Sequence, residues 1–461
     1  MYLLQHGIIL LTLGFGLFIY ALKTSFVKND EQYSVGNRKV GIFALTATLV
    51  MTEFNTATLI SFSSLGYLSG LKALALPFIF LLGLLFYALT VAKKWKEFNG
   101  LSVVDFFIHR YGSTIGLIAT LFLFIAMAGF SATYLKSLTL LFENLFPNTS
   151  YWIISAYIVF LTLFMVIRRG LISIIKVDVI SFLIVLIVLP WILYKTWRED
   201  FLFESSMHDH VFNIGLLNSD FILSLIILTM FSYILAPWYG QRIFAAKNVK
   251  VAYISVILSA FFVFLFYSIS VLISYVLALK GLILNNPEQS FPYALDLSLK
   301  NYYYPAGYIL LFLISSTTLT GVWNAMANIT LEFTKSINIK NNSITMMIVC
   351  ALITYCLSNM LVDNILNKMI LANIPIVSLS FALLAGFYWT RVSLPGIYAS
   401  IAIGMMLGIG FYLYFGEEGG YTLYWAFIGI PVIFVSGFFA SWLYPARNCQ
   451  IQALNFDKKA M

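Results

Sequence analysis

The sequence predicts an all-α polytopic membrane protein with about 13 transmembrane helices, arranged as two inverted five-helix repeats with broken first helices. Three observations predict this fold class: the composition, a succession of long apolar segments, and a span pattern that recurs five spans later. Of the 461 residues, 61% are hydrophobic and only 10% are charged. A typical soluble protein has roughly 25% charged residues, and more polar side chains are needed to cover its surface. The composition therefore excludes soluble enzymes, nucleic-acid-binding proteins and disordered chains.

The long apolar segments approach the length of about 20 residues that spans a bilayer core as a helix. Charged residues and Asn-, Gly- or Pro-rich breaks divide the chain into these segments. In chain order they are predicted near residues 7–22, 40–68, 73–92, 115–146, 151–167, 177–197, 219–239, 251–279, 305–335, 343–361, 365–389, 397–415 and 423–444.

The positions of the basic residues indicate how the chain crosses the membrane. Lys23 and Lys28 follow the first span where a secretory signal would have a small-residue cleavage site, so we interpret that span as a retained anchor. An odd number of spans puts the termini on opposite sides. With the N-terminus outside, most of the 27 Lys and Arg residues fall on the cytoplasmic side, as basic loops prefer. The sequence thus predicts an integral, multi-pass protein of the plasma (inner) membrane with a cytoplasmic C-terminus.

A repeat is indicated by the two longest spans, residues 115–146 and 305–335, which are the fourth and the ninth. Units made of spans two to six and seven to eleven would be inverted relative to each other, because each contains an odd number of helices. The first span of each unit has polar or helix-breaking residues at mid-depth, in "MTEFNTAT" (51–58) and "FSYILAPWYG" (231–240). The predicted organisation is a leading helix and loop (1–39), a first repeat (40–197), an external loop and second repeat (198–389), and two trailing helices with a short tail (390–461).

Glu53 lies near the middle of the second span, where a carboxylate costs a few kcal/mol (about 2.5–3.5 on insertion scales) unless it is paired or hydrated. Two interpretations stay open. Glu53 either packs as a protonated or hydrogen-bonded group, or contacts a substrate, a cation or a proton at the helix break.

Polar residues on the ninth span are spaced by three or four positions and therefore share one face of a helix. Such hydroxyls often only bond back to their own helix, but a stripe that reaches the cytoplasmic end would also suit the exit of a weakly held alkali cation. On the sixth span, Asp178 stands beside Lys176 near the predicted cytoplasmic edge, where an interface ion pair is the alternative to a functional role. The stripe consists of Thr317, Thr320, Asn324, Asn328 and Glu332.

Five short sequence motifs occur in the same order as in a known family. The chain contains "LGYLSG" (65–70), "VVDFFIHRYG" (103–112), "VDVI" (177–180), "GQRIFAAKN" (240–248) and "SSTTLTGVWNAMANIT" (315–330). With these strings the sequence resembles the sodium:solute symporter family. The resemblance implies the inverted-repeat fold typified by the bacterial leucine transporter, with one leading and two trailing helices, and it implies sodium as the coupling ion.

The resemblance also implies ligands for sodium. The principal site corresponds to the backbone carbonyls of Met51, Phe54 and Ile314 together with the hydroxyls of Thr317 and Thr318. Some members hold a second sodium ion nearer the cytoplasm, and three of its ligands match Asp178, Thr317 and Thr320. Two positions depart from that pattern, because Gly321 replaces the hydroxyl residue expected beside Thr320, and Ser181 replaces the glutamine that usually follows the aspartate by three positions.

For the solute, the resemblance points to the two breaks. The Asn, Glu and Gln residues typical of the sugar branch are absent after the first break, so a galactose-type substrate is disfavoured. Members that carry proline have an acid at the position of Glu53, which favours an amino acid or another small organic metabolite. The predicted substrate-binding residues are Glu53, Ala57, Thr58, Thr229, Ser232 and Tyr233.

The function predicted from these features is sodium-coupled symport of a small organic solute across a lipid bilayer. The chain has no nucleophile elbow, Walker loop or zinc motif, so we expect no enzymatic activity. The alternative is a membrane sensor or receptor that binds the solute without moving it and acts with a separate partner, because some relatives are fused to signalling modules. The sequence leaves the identity of the solute and the oligomeric state open.

Overall fold

A computed structural model describes residues 35–36, 38–143, 146, 148–166, 170–198, 212–298, 304–336, 342–417 and 420–445. In these ranges the regular elements are helices, and one isolated parallel bridge joins Val40 to Ala246. The predicted first span (7–22) and most of the tail (446–461) lie outside the described residues.

The α-helices are numbered here in chain order, and short 3₁₀ and π turns connect several of them. They are α1 (Ile42–Glu53), α2 (Thr56–Ser69), α3 (Ala75–Tyr87), α4 (Lys93–Phe98), α5 (Val103–Tyr111), α6 (Ser113–Glu143), α7 (Tyr151–Val166), α8 (Gly170–Arg198), α9 (Ser219–Tyr233), α10 (Pro237–Ala245), α11 (Val249–Leu279), α12 (Ser290–Ser298), α13 (Tyr304–Ser336), α14 (Ser343–Met360), α15 (Ile365–Leu371), α16 (Asn373–Ser378), α17 (Ser380–Tyr388), α18 (Leu394–Phe415), α19 (Tyr421–Tyr424) and α20 (Ile430–Leu443).

Among the described residues, eight helical segments are long and apolar enough to cross a bilayer, and α9 with α10 makes a ninth if this bent pair is one span. Helix α1 and most of α7 are apolar but shorter. Helices occupy each predicted span from the second onward, while the count of about 13 stays a prediction. The outer faces of the helices are also apolar, as at Ile187 on α8, which is 72% exposed. Apolar side chains on the outside are what a lipid environment requires.

The first break lies between α1 and α2, in the predicted segment 51–58. Helix α1 ends at Glu53, and Asn55 begins α2 as its N-cap, with Oδ1 accepting a hydrogen bond from the Thr58 amide at 3.0 Å. The Asn55 side chain also donates to the Glu53 carbonyl at 2.8 Å. Asparagine is among the best N-cap residues, so a new helix starts here although the segment has no Gly or Pro. Interrupting the helix leaves carbonyls at the end of α1 available to other partners.

The second break separates α9 from α10, in the predicted segment 231–240, and the two helices are bent by 47°. Helix α9 ends at Tyr233, and Pro237 is the first residue of α10. Proline suits this position because the first turn of a helix needs no amide donor there. Both helices are therefore interrupted within the segments where the sequence predicted a break.

The breaks are held by longer, continuous helices. Helix α13, 33 residues long, packs against α1, α6 and α8, and α11 packs against α1, α2 and α3. The Ser315 hydroxyl of α13 lies 2.7 Å from the Thr56 hydroxyl at the start of α2. The core of the molecule thus lies where α1 and α2 meet α8, α11 and α13.

One helix extends beyond its predicted span, and this extension affects the site. The sixth span was expected to begin at residue 177, but α8 begins at Gly170. A polar or basic stretch at the end of a span can continue as helix, because its backbone hydrogen bonds are satisfied inside the helix wherever the membrane boundary lies. Asp178 is therefore in the interior of α8, where it is 1% exposed.

Candidate functional site

A small cavity of about 80 Å³ lies between the two broken helices. Aromatic rings form much of its wall. The lining residues are Glu53, Asn55, Thr58, Phe62, Leu76, Ile79, Phe80, Phe130, Tyr134, Leu225, Leu228, Thr229, Ser232, Tyr233, Ala236, Trp238, Leu366, Met369, Ile370, Asn373 and Ile376. A pocket of this kind, largely apolar with a few polar groups, is typical of small-molecule sites.

Glu53 supplies the one acidic side chain of this lining, and no basic side chain belongs to it within the described residues. The carboxyl group accepts hydrogen bonds from the Tyr233 hydroxyl and, at 3.2 Å, from the Trp238 indole. These two donors stand on opposite sides of the second break, at the end of α9 and in the first turn of α10. The Tyr267 hydroxyl of α11 donates to the Glu53 backbone carbonyl. The acid is thus oriented by both interrupted helices.

Five of the six predicted substrate residues line this cavity, and one does not. Glu53, Thr58, Thr229, Ser232 and Tyr233 belong to the lining. Ala57 is fully buried and is not among the residues that line the cavity, and its contact with a solute stays a prediction. Successive residues of an α-helix point about 100° apart, so a helix that directs Thr58 into the cavity directs Ala57 elsewhere.

The oxygens predicted to bind sodium converge where the end of α1 meets α13. The Thr318 hydroxyl lies 2.9 Å from the Met51 carbonyl and 3.1 Å from the Ile314 carbonyl. The Thr317 hydroxyl lies 3.0 Å from the same Ile314 carbonyl. All four residues are buried. In membrane proteins with discontinuous helices, backbone carbonyls of the unwound segments can coordinate Na⁺.

Phe54, the fifth predicted residue of this set, occupies the linker between α1 and α2. Its ring packs against Phe266 and Tyr267 of α11, with ring centroids 5.4 and 5.3 Å apart. The side chain therefore anchors the linker to α11, while the predicted sodium contact involves its backbone.

Asp178 belongs to a second polar cluster beside these oxygens. Its carboxyl group accepts a hydrogen bond from the Thr48 hydroxyl of α1, interacts with the Thr317 hydroxyl, and lies 3.7 Å from Nη2 of Arg242 on α10. The interface pair with Lys176 is therefore not formed, since Lys176 is exposed and Asp178 faces inward. The Thr320 hydroxyl donates to the Thr317 carbonyl of its own helix at 3.0 Å.

The family model of the sodium:solute symporters matches residues 33–294, which is more than half of the chain. The chain belongs to the sodium:solute symporter family. Members of this family are transporters, so the chain is an integral, multi-pass membrane transporter and not an enzyme, and sodium is its coupling ion. No curated protein matches the chain.

Solved structures of other symporters share the fold. A Na⁺-coupled sialic acid symporter, substrate-bound and outward-open, superposes with a TM-score of 0.74 at 16% identity, over 96% of this chain and 98% of its own. The nucleobase-cation-symport-1 family transporter Mhp1 superposes in a closed form with bromovinylhydantoin (TM-score 0.54, 14% identity, 90% and 94% coverage) and in an inward-facing form (0.55, 13%, 91% and 96%). At such identities the similarity concerns the fold and does not extend to the solute.

Several lining residues of this symporter were missed at the sequence level. Trp238 lies within the segment that predicts the second break, but nothing in the local sequence indicates its hydrogen bond to Glu53. Phe130 and Tyr134 are four residues apart on α6 and so share a face, yet an aromatic pair of this spacing is usual in any packed helix. Asn373, on α16, follows a turn that the hydropathy of its span does not indicate.

Proposed function

We propose that the chain is a secondary active symporter in which sodium, bound between α1 and α13, drives the uptake of a small organic solute that bears an ammonium group. The proposal includes about 13 membrane spans, two inverted five-helix repeats, an external N-terminus and a cytoplasmic C-terminus in the plasma (inner) membrane. The four domain ranges named above follow from it.

The observation that carries the proposal is the pairing of the Thr318 hydroxyl with the Met51 carbonyl at the first break. A sodium ion at this place would be held by the carbonyls of Met51, Phe54 and Ile314 and by the hydroxyls of Thr317 and Thr318. It would take over the acceptor carbonyls that the hydroxyl protons now contact. Because these oxygens come from α1 and α13, the ion would tie the broken helix to the long one.

The solute is proposed to bind in the adjacent cavity through Glu53, Thr58, Thr229, Ser232, Tyr233 and Trp238. A buried carboxyl group on a wall that has no basic residue favours a ligand with a positively charged group, and the aromatic lining favours an apolar body. Met51 and Glu53 are two residues apart on the last turn of α1, so either ligand would stabilise the same conformation of the break. Linkage then requires sodium and solute to tighten each other by the same factor.

A thermal-stability panel tests the proposal. Purified full-length protein is unfolded in NaCl or in KCl with amino acids, simple amines, the matching carboxylic acids without an amine, and hexoses. We expect stabilisation by members of the amine-bearing groups, and only in NaCl. Stabilisation by a hexose or an acid that lacks the amine would contradict the solute class, and equal stabilisation in KCl would contradict sodium coupling.

The alternative left open by the sequence, a non-transporting sensor, makes a different prediction for reconstituted protein. A symporter in proteoliposomes accumulates the stabilising solute when an inward sodium gradient is imposed, and a sensor binds the solute without accumulating it. The uptake of radiolabelled solute therefore separates the two functions once the panel has identified a ligand.

A further inference from the structure

A second cavity, here called the apolar cavity, lies between α6, α14, α15, α16 and α18 and has a volume of about 500 Å³. It is larger than the cavity at Glu53, and its lining is of a different kind. Among the described residues, Lys368 is the one charged side chain of this lining, and the others are apolar. An apolar cavity of this kind stays dry and takes up apolar molecules, so it does not suit a water-soluble solute.

The apolar cavity opens on the side of the molecule that faces lipid. Ile125 of α6 and Met405 of α18 belong to its lining and are exposed, whereas Ala132 and Ile374 belong to it and are buried. The cavity therefore extends from the outer surface into the packing between the helices. Because exposed apolar side chains of membrane-spanning helices lie against the hydrocarbon of the bilayer, the molecule within reach of this opening is a lipid acyl chain.

Lys368 connects the apolar cavity to a polar cluster. Its Nζ lies 2.7 Å from Oε1 of Glu417 and 3.2 Å from Oδ1 of Asp363. The other oxygen of the Glu417 carboxylate accepts a hydrogen bond from the Asn367 side chain at 2.9 Å. In the proposed topology these residues lie between spans that meet on the external side, so the cluster stands where lipid headgroups of the outer leaflet lie.

The charges of this cluster favour one kind of headgroup. Two carboxylates surround one ammonium group, so the cluster has a surplus of one negative charge, and Asp363 is exposed. A headgroup with a primary amine would supply the missing positive charge and N–H donors for the carboxylates, while its phosphate could contact Lys368. An anionic headgroup without an amine would add negative charge, and a quaternary ammonium group has no N–H to donate.

The wall of the apolar cavity is also a wall of the cavity at Glu53. Lys368 and Leu371 of α15 line the apolar cavity, whereas Met369 and Ile370 of the same helix line the cavity at Glu53. Successive residues of a helix point about 100° apart, so the two faces of one short helix serve the two cavities. A molecule in the apolar cavity would support this helix from behind.

We infer that the apolar cavity binds an acyl chain of an aminophospholipid of the outer leaflet. The amine of the headgroup pairs with Asp363 and Glu417, and the phosphate contacts Lys368. The bound lipid supports α15 and thereby stabilises the folded protein. This inference goes beyond the proposed symport, since it involves neither sodium nor the solute.

The test uses purified, delipidated full chain in detergent, without solute. Phosphatidylethanolamine, phosphatidylcholine and phosphatidylglycerol with identical acyl chains are titrated in turn. Native mass spectrometry counts the lipids bound to each molecule, and thermal unfolding reports stabilisation. We expect one tightly bound phosphatidylethanolamine that raises the unfolding temperature. The other two lipids should bind about tenfold or more weakly, as expected for the loss of hydrogen bonds between charged groups.

Two variants test the two parts of the site separately. Ala132→Phe fills the apolar cavity and should abolish tight lipid binding, while Leu121→Phe on the exposed, lipid-facing side of α6 should not. Asp363→Asn removes the surplus negative charge and should remove the preference for phosphatidylethanolamine, while lipid binding itself persists. Asp220→Asn is its matched control, because Asp220 is also exposed and precedes a span on the proposed external side.

Undiminished lipid binding in a folded Ala132→Phe variant would overturn the inference, and so would equal affinity of the wild type for the three lipids. Should Ala132→Phe not fold, photolysis of the wild type with a phosphatidylethanolamine that carries a diazirine on its acyl chain decides. Labelling within 125–132, 357–375 and 405–409 is expected, and labelling confined to other segments would overturn the inference. Failure of the proposed symport has a separate signature, because it would appear in the sodium and solute panel and leave lipid binding unchanged.

Discussion

At the scale of single residues, Glu53 is the side chain that we propose recognises the solute. It is 6% exposed, it lines the cavity, and its carboxyl oxygens accept hydrogen bonds from Tyr233 and Trp238. Both interpretations of a mid-membrane acid are compatible with these donors, since a packing group also needs them. Only the loss of its charge, with its shape kept, separates the two.

We expect Glu53→Gln to weaken solute binding by on the order of 10- to 100-fold, because a hydrogen bond to a charged group contributes about 1.5–3 kcal/mol. Glutamine keeps the size of the side chain and one acceptor oxygen for its neighbours. The measurement is the solute affinity in saturating sodium. Glu97→Gln is the matched control, since Glu97 pairs with Lys94 on the surface. Unchanged affinity in Glu53→Gln would mean that the acid only packs.

Thr317→Ala and Thr318→Ala should each raise the sodium concentration for half-maximal binding by about tenfold or more, since each removes one oxygen that would contact the cation. Little volume is lost, so insertion and folding should persist. Sodium titration of ligand binding measures the effect. Thr330→Ala on the same helix is the control, because its hydroxyl bonds back to the Met326 carbonyl away from the site. Two variants with wild-type sodium dependence would place the ion elsewhere.

At the scale of elements, the two breaks have different local causes. Pro237 begins α10 because it can neither donate a backbone hydrogen bond nor continue the preceding helix. The first break depends on Asn55, whose side chain caps α2 and binds the carbonyl that ends α1. The first break therefore depends on the hydrogen bonds of one side chain, which a single substitution can remove.

Asn55→Ala should lower the free energy of unfolding by about 1 kcal/mol, the usual loss for an N-cap, and should also weaken sodium binding because the end of α1 is no longer oriented. Asn248→Ala is the matched control: Asn248 caps α11 through the Val251 amide at 2.9 Å and lies outside the proposed site. Thermal unfolding should fall in both variants, whereas sodium affinity should fall only in Asn55→Ala. A parallel loss of sodium affinity in both would contradict the local role of the cap.

Helix α12, which lies outside the predicted membrane spans, contains an acid that makes the free energy of unfolding depend on pH. Burial raises the pKa of Asp296 to about 7, and a hydrogen bond from Tyr308 opposes that rise only in part. An acid whose pKa is higher in the folded state binds its proton more tightly there, so its contribution to stability falls as the pH rises from about 4 towards 7. Asp296→Asn should reduce this decline. The test is thermal unfolding of both proteins at pH 5 and pH 8, and an identical pH dependence would contradict the assignment.

At the scale of the whole molecule, the site depends on how closely the helices approach. Gly66 of α2 lies against the backbone of α11, where an added Cβ would be 2.7 Å from the Val271 carbonyl oxygen. Helix α11 also carries Tyr267, whose hydroxyl donates to the Glu53 carbonyl and whose ring packs against that of Phe54. A change in the distance between α2 and α11 would therefore alter the position of Glu53 in the cavity wall.

Gly66→Ala should destabilise the protein by about 1–3 kcal/mol, the range for overpacking a filled interior, because a backbone atom cannot move aside as a flexible side chain could. Gly410→Ala on α18 is the control, since nothing lies within 4 Å of its added Cβ, and alanine is favoured over glycine in a helix. We expect a lower unfolding temperature only in Gly66→Ala. Equal unfolding temperatures would show that α2 and α11 can separate without cost.

The sequence by itself determined the features that depend on neighbouring residues and on the bilayer. These are the helical membrane architecture and the two broken helices, because hydropathy and helix-breaking residues act over a few residues. The pairing of Thr317 and Thr318 with the end of α1 was implied by the resemblance to the family. The tertiary structure alone decided which distant side chains meet. An interface ion pair with Lys176 was one of two open interpretations of Asp178, and its carboxyl group instead faces Arg242, 64 positions away, while Gly321 makes room for the guanidinium group. Ala57 lies outside the cavity that its neighbour Thr58 lines. Such contacts depend on the rotation of each helix and its distance from the next, which are set by the packing of all the helices together and leave no pattern in a local stretch of sequence.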